Sequence, residues 1–213
     1  MADSIDSQPI GVFLDALASS APAPGGGSVA AVSGAMAAGL ISMVCAISTG
    51  KKQFADIEAD LRSIHNRAEK LRQDLQRLGQ EDIAVFERLS AAYKLPRTTD
   101  ADAASRKAAI QQISRLAADV PLRTARAAAA LIPLCTALVN RVGRLIVSDI
   151  GVAAVLARST VQSALLNVEI NLSGLEDPMY VREVRAQLED MMVGLNEEVE
   201  GIVHIVRSRI NQA

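Results

Sequence analysis

Asp82 has the clearest capacity for chemistry in this chain, because it interrupts an apolar stripe. Ile57, Leu61, Ile64, Ala68, Leu71, Leu75, Leu78, Val85 and Leu89 recur at alternating spacings of four and three, and Asp82 fills the place between Leu78 and Val85. A carboxylate on such a face needs a partner. Unpaired and buried, it would cost several kcal/mol or have its pKa driven up until it stayed protonated. Three readings stand at this point. Asp82 stabilises a cationic substrate or moves protons at a reacting centre; it fixes helix register, as single polar residues do in coiled coils; or the stripe simply surfaces at that turn.

A second candidate is the turn Gly25-Gly26-Gly27, which follows Pro24 and opens a run that closes with Gly50-Lys51-Lys52. Three glycines can take backbone angles closed to other residues and let a ligand approach the main chain, with Ser28 placed to cap the helix that follows. Free N–H groups and the positive end of the helix dipole would then face an anion or a ring edge. A hinge between two helices has the same composition.

Ser148-Asp149 supplies another carboxylate, read as an N-cap pair at a helix start, a place where Asp favours the helix dipole without any ligand. Asn167 falls eighteen residues later, on the same face of an unbroken helix but about 27 Å away along its axis. One compact centre in one subunit cannot use both. An elongated ligand or a groove completed by a second subunit could. Asn171, one turn beyond Asn167, adds a second amide, although amides bonded within a bundle look the same in sequence.

The elements that must position these groups read as helices nearly throughout. A short amphipathic helix after Pro9 carries Ile10, Phe13, Leu14 and Leu17 and stops before Pro22 and Pro24. The stretch from Ala16 to Gly50 has no charged side chain, and its part from Val29 to Thr49 is long enough to span a bilayer. Ala, Gly and Ser dominate it, with close-contact spacings Gly34 to Ala38 and Ala35 to Gly39, so a helix buried inside a bundle is expected rather than a membrane span. Asp3 and Asp6, with no basic region before the apolar run, argue against a secretory leader. The stripe helix ends at Leu95-Pro96, and another begins near Asp102. Pro121 and Pro133 start or kink later runs, and Asp177-Pro178 opens a terminal helix reaching about Ile210. No alternating strand pattern or internal repeat is present, and short connections imply an antiparallel all-α bundle in a single domain over residues 1–213.

Composition narrows the partners. Of 213 residues 50% are apolar, yet there are only 2 Tyr, 3 Phe and no Trp, so the core must be aliphatic, which suits packed helices. A net charge of −2 without a basic block argues against nucleic acid. Cys45 and Cys135 stand alone in apolar stretches and share no ligand-like spacing with His65 or His204, which argues for a reducing, cytoplasmic setting and against structural zinc.

Phe13-Leu14-Asp15-Ala16-Leu17-Ala18-Ser19-Ser20 leading to Pro24-Gly25-Gly26-Gly27, then Gly50-Lys51-Lys52, Ala92-Tyr93-Lys94-Leu95-Pro96, Val120-Pro121-Leu122, Ser148-Asp149-Ile150-Gly151-Val152-Ala153 and Leu166-Asn167-Val168 occur in one order. In this the chain resembles the formiminotransferase-cyclodeaminase C-terminal family, and most of all its stand-alone methenyltetrahydrofolate cyclohydrolases. The similarity extends over nearly the whole chain. It implies an all-helical homodimer with the site in a groove associated with the subunit interface, and no bound cofactor or metal.

The implied reaction is attack of water on the one-carbon bridge of 5,10-methenyltetrahydrofolate, giving 10-formyltetrahydrofolate. A delocalised positive charge on that bridge suits a nearby carboxylate. Asp82, in Asp82-Ile83-Ala84-Val85-Phe86, matches an Asp that precedes an Ala-Phe pair in the family. The resemblance thus implies Asp82 and Asp149 as catalytic residues. Lys51, Lys52 or Lys94 would hold folate carboxylates, Gly25, Gly26, Gly27 and Ser28 would supply main-chain contacts, and Tyr93, Ser148 and Asn167 would contact substrate.

The chain also departs from the family pattern. Relatives carry Gly-Asn-x-Asn just before Ser-Asp, whereas here Val142-Gly143-Arg144-Leu145 lacks both amides, and Ala84 stands where Glu is common. A site built for hydrogen bonds discriminates through them, so their loss changes which substrate fits unless Arg144 binds a carboxylate instead. Two alternatives therefore stay beside the cyclohydrolase: a formiminotetrahydrofolate cyclodeaminase that releases ammonia, and a folate-binding scaffold without turnover.

Overall fold

Helix stops in the sequence set the order of elements. The computed structural model describes residue 5 and residues 7–211, and among these every regular element is helical. Asp3 and Asp6 lie outside the described residues. The helices are α1 (Ile10–Leu17), α2 (Gly26–Ser48), α3 (Glu58–Tyr93), α4 (Asp100–Ala129), α5 (Ile132–Leu138), α6 (Val147–Leu172), α7 (Pro178–Met192) and α8 (Leu195–Asn211). Tight 3₁₀ turns at Lys52–Ile57 and Arg144–Ile146 lead into α3 and α6.

Four long helices, α2, α3, α4 and α6, form the heart of the bundle. Their register is visible in side-chain pairs. Along α2, Gly27 meets Asp82, Gly34 meets Leu75, and the Ser42 carbonyl accepts from His65 Nδ1 at 3.2 Å, so α2 and α3 run antiparallel. Gly26 against Asn167 and Gly34 against Thr160 make α2 and α6 antiparallel too. The antiparallel bundle expected from short connections is the one observed.

α2 fills the role of an interior helix. A Cβ at Gly34 would come within 3.0 Å of Thr160 Cγ2 and 3.1 Å of Leu75 Cδ2, so glycine there lets three helices approach. Gly39 is under no such pressure, with Arg72 Cδ at 3.9 Å. α2 and the segment Arg144–Leu172 are both long and apolar enough to cross a membrane by length and composition, yet they pack against each other in the core. The stripe of α3 is buried at Leu61, Ile64, Ala68, Leu75, Leu78 and Val85. Asp82 is half-buried between the last two.

Several expected boundaries move. α4 starts at Asp100 instead of near Asp102, because Thr99 caps it: Thr99 Oγ1 accepts from Asp102 N at 3.1 Å while Asp102 Oδ2 accepts from Thr99 N at 3.2 Å. Pro121 sits inside α4, whereas Pro133 lies in the first turn of α5. Asp177 does cap a helix, accepting from Met179 N and Tyr180 N. That helix stops at Met192, because Gly194 takes φ +71 and divides the expected terminal helix into α7 and α8. Ser148 and Asp149 are not caps. α6 begins one residue earlier, after Ile146, and both fall in its first turn.

Candidate active site

The first turn of α2 and the middle of α3 build the centre of the site. Ser28 is fully buried, and its hydroxyl donates to Asp82 Oδ2 at 2.9 Å. The Ser28 backbone N–H donates to the same carboxylate. Ser28 therefore does not cap its own helix. Gly25 is the N-cap residue, without a side chain to do the work, and Asp82 reaches over from α3 to satisfy an amide of that open turn.

This arrangement explains the glycines differently from their backbone freedom. None of the three has positive φ, and Gly25 is extended at φ −136. What matters is space. A Cβ on Gly27 would place every atom of the Asp82 carboxylate within 2.7 Å, and one on Gly26 would lie 3.3 Å from Asn167 Oδ1, while one on Gly25 would meet nothing within 4 Å. Glycine lets a carboxylate sit directly on the helix start.

Burial pushes the pKa of Asp82 above the usual carboxylate value, and the two Ser28 hydrogen bonds work against that rise. The result is a half-buried carboxyl group suited to accepting a proton, with the N-terminal end of α2 favouring its charged form.

Asp82, Gly25, Gly26, Gly27 and Asn167 line one cleft of about 320 Å³ whose wall is completed by Phe86 and Ile170. Asn167 Nδ2 donates to Ser163 O at 2.8 Å, and its Oδ1 is the atom nearest Gly26. Asn171 donates to Ala117 O and Asn167 O, both at 2.8 Å, and so ties α6 to α4 beneath the cleft. Of the expected residues, the glycine turn, Ser28, Asp82 and Asn167 come together.

The others are elsewhere. Lys94 lines a neighbouring hollow that shares Pro22, Ala23 and Phe86 with the cleft. Tyr93 turns away and packs under Arg106, whose Cζ lies 5.7 Å from the ring centroid. Lys51 and Lys52 border a shallow surface past the far end of α2, and Ser148 lies in a groove between α6 and α8. Because α2 and α6 are antiparallel, Lys51, Lys52, Ser148 and Asp149 belong to the opposite end of the bundle, about 27 Å from Asn167 for Asp149. Gly143 stands with them, its Cβ position 3.8 Å from Phe54.

Phe86, Ile170 and Pro22 were given no role from sequence. The spacing of Phe86, one turn after Asp82, was the signal available. Among the described residues no three His, Cys, Asp or Glu side chains group to hold a metal ion. Cys45 and Cys135 are buried thiols, raised by burial to about 11 and about 12.

The fold and cleft define an all-helical protein that holds a carboxylate and a carboxamide over a small-molecule pocket. Residues 9–190 match the family model described as formiminotransferase-cyclodeaminase, and the chain belongs to that family. It is 40% identical over 205 residues to a methenyltetrahydrofolate cyclohydrolase from Methylorubrum extorquens, covering 96% of this chain and 99% of that one. It is 34% identical to the formimidoyltransferase-cyclodeaminase of Sus scrofa, over 89% of this chain but 35% of that longer protein. Among solved structures, formiminotetrahydrofolate cyclodeaminase from Thermotoga maritima superposes with a TM-score of 0.78 at 27% identity, covering 97% of each chain.

Proposed function

We propose that this protein hydrolyses 5,10-methenyltetrahydrofolate to 10-formyltetrahydrofolate. The observation that carries the reading is Asp82, held by Ser28 at the glycine start of α2 and open to a cleft. Near-full-length likeness to a cyclohydrolase supports it. The amidinium-like bridge would sit by Asp82, whose charge attracts it. Water adds its oxygen to the bridging carbon as Asp82 takes one of its protons. The bond from that carbon to N5 then breaks with a proton delivered to N5. The remaining hydroxyl proton leaves as the formyl carbonyl forms, so one proton is released per turnover. Asn167 Oδ1 would position a ring N–H or the water, and Lys94 would face the acidic tail.

Incubation of the purified protein with 5,10-methenyltetrahydrofolate near neutral pH, following loss of its ultraviolet absorbance against uncatalysed hydrolysis, tests this. Acceleration that vanishes in Asp82→Asn supports it; none from a folded protein removes it. The likeness to the Thermotoga cyclodeaminase favours one second reading, closure of formiminotetrahydrofolate. Ammonia release from the formimino compound would select it.

The working unit is a homodimer in the cytoplasm. α6 exposes Val152 (50%), Leu166 (67%) and Ile170 (68%) along one face. Val152 and Leu166 are equidistant from Ser159, as are Ser148 and Ile170. An antiparallel pairing of α6 with its copy about Ser159 would cover these apolar side chains. It would also bring Ser148 and Asp149 of the partner subunit to the Asp82 cleft, which joins the two distant halves of the expected site.

A further inference from the structure

Phe86 sits where two hollows join. It lines the Asp82 cleft and also the hollow that leads to Lys94, and in both it shares the lining with Pro22 and Ala23. On α3, Asp82 and Phe86 are one turn apart, about 6 Å along the axis, and Lys94 follows about 12 Å further. The two hollows thus adjoin along about 18 Å of α3, with the Asp82 carboxylate at one end, Lys94 at the other in a hollow that Glu87 also lines, and an aromatic ring between them.

Among the three phenylalanines, this ring is the open one. Phe13 and Phe54 are 5% and 9% exposed; Tyr93 is more exposed still, at 54%, but lines neither hollow and has Arg106 over its ring, as Tyr180 has Arg115. Phe86 leaves 39% of its surface open and shares the cleft lining with Pro22. Aromatic faces and proline rings together make a slot for a flat apolar group, and offset stacking adds to simple burial.

We infer that Phe86 is a specificity-determining residue that grips a planar aryl ring linking a cationic reacting end at Asp82 to an anionic tail at Lys94. The inference rests on the proposed folate reading and deepens it: the ring is the aminobenzoyl ring, held at Phe86 and Pro22, and its grip fixes how far the one-carbon bridge reaches toward the carboxylate.

The test uses the full chain and its Phe86→Ala, Phe86→Leu and Phe86→Tyr variants, with thermal melts to confirm folding. Calorimetry measures binding of p-aminobenzoylglutamate and of free glutamate, and steady-state kinetics measure methenyltetrahydrofolate hydrolysis. The expected result is binding of p-aminobenzoylglutamate by the unaltered protein that exceeds binding of glutamate. It should weaken about tenfold in Phe86→Ala and in Phe86→Leu and be restored in Phe86→Tyr, with a matching rise in KM larger than any fall in kcat. Leu fills most of the volume without an aromatic face, so it separates stacking from packing. Unchanged affinity and KM in folded Phe86→Ala, with turnover intact, would overturn the role of Phe86 while leaving the hydrolase reading standing. Absence of both turnover and p-aminobenzoylglutamate binding in the unaltered protein would overturn both.

Discussion

Ser28 and Asp82, 54 residues apart in the chain, are joined by a 2.9 Å hydrogen bond that locks the first turn of α2 to the middle of α3. The bond favours the ionised carboxylate, whereas burial of Asp82 disfavours it. The protonation of this carboxyl group is set by that opposition.

Removing the hydroxyl should therefore tilt the balance. In Ser28→Ala, the pKa of Asp82 rises further, a smaller fraction is ionised at a given pH, and the acidic limb of the pH–rate profile moves to higher pH. Loss of a buried bond to a charged group should also cost about 1.5–3 kcal/mol of stability. A pH–rate profile and a urea titration on the same preparation check both.

Asp82→Asn should separate chemistry from stability. Turnover should fall by about 10²–10⁴, the usual worth of a positioned proton acceptor. Because the folded pKa of Asp82 lies above its unfolded value, the folded state binds more protons in the window above about 4, and the wild-type protein loses stability there as pH rises. Asn carries no such titration. The difference in urea midpoint should thus shift in favour of Asp82→Asn between pH 4 and pH 7. A constant difference would contradict the raised pKa.

The three glycines should differ in what they tolerate. Gly25→Ala meets open space and should change stability by less than about 0.5 kcal/mol, whereas Gly27→Ala forces the Asp82 carboxylate aside and should cost about 1–3 kcal/mol together with most activity. Gly26→Ala, pressed only by Asn167 Oδ1, should fall between them. Thermal melts and initial rates on the three variants provide the ranking.

At Lys94, charge rather than shape is expected to matter. Lys94→Met should raise KM about two- to fivefold with kcat unchanged, and added salt should shrink that difference, because the cation is exposed. Kinetics at two ionic strengths suffice.

Mixed dimers test the pairing of α6. If Asp149 of one subunit serves the cleft of the other, Asp82→Asn and Asp149→Asn homodimers should each be inactive, and remixing them after dissociation should recover about a quarter of the activity, from the one intact site in half of the dimers. No recovery from well-exchanged dimers would place both carboxylates' roles within one subunit. Leu166→Glu should leave a folded monomer by sedimentation.

Much of this was legible in sequence for definite physical reasons. The stripe of α3 marked its buried face, and Asp82 stood out by breaking it. Gly34 showed its packing role through small-residue spacing. Ser28 was misread because capping rules are local, while its actual partner arrives from another helix. Ser148 was misread for a related reason: the 3₁₀ turn at Arg144–Ile146 already begins the helical path. Lys51 and Lys52 end the uncharged run that the glycine turn opens, but a 23-residue helix carries them to the other end of the molecule. Chain order conveys helices well and reports poorly which ends of them meet.

The same carboxylate that would serve turnover also closes an otherwise uncapped helix. Selection on the two tasks pulls apart, since Asn could satisfy the helix start without the burden of a buried charge. On the proposed mechanism, a lineage that gave up the reaction would gain by drifting to Asn at this position, and the residue there would separate working descendants from retired ones.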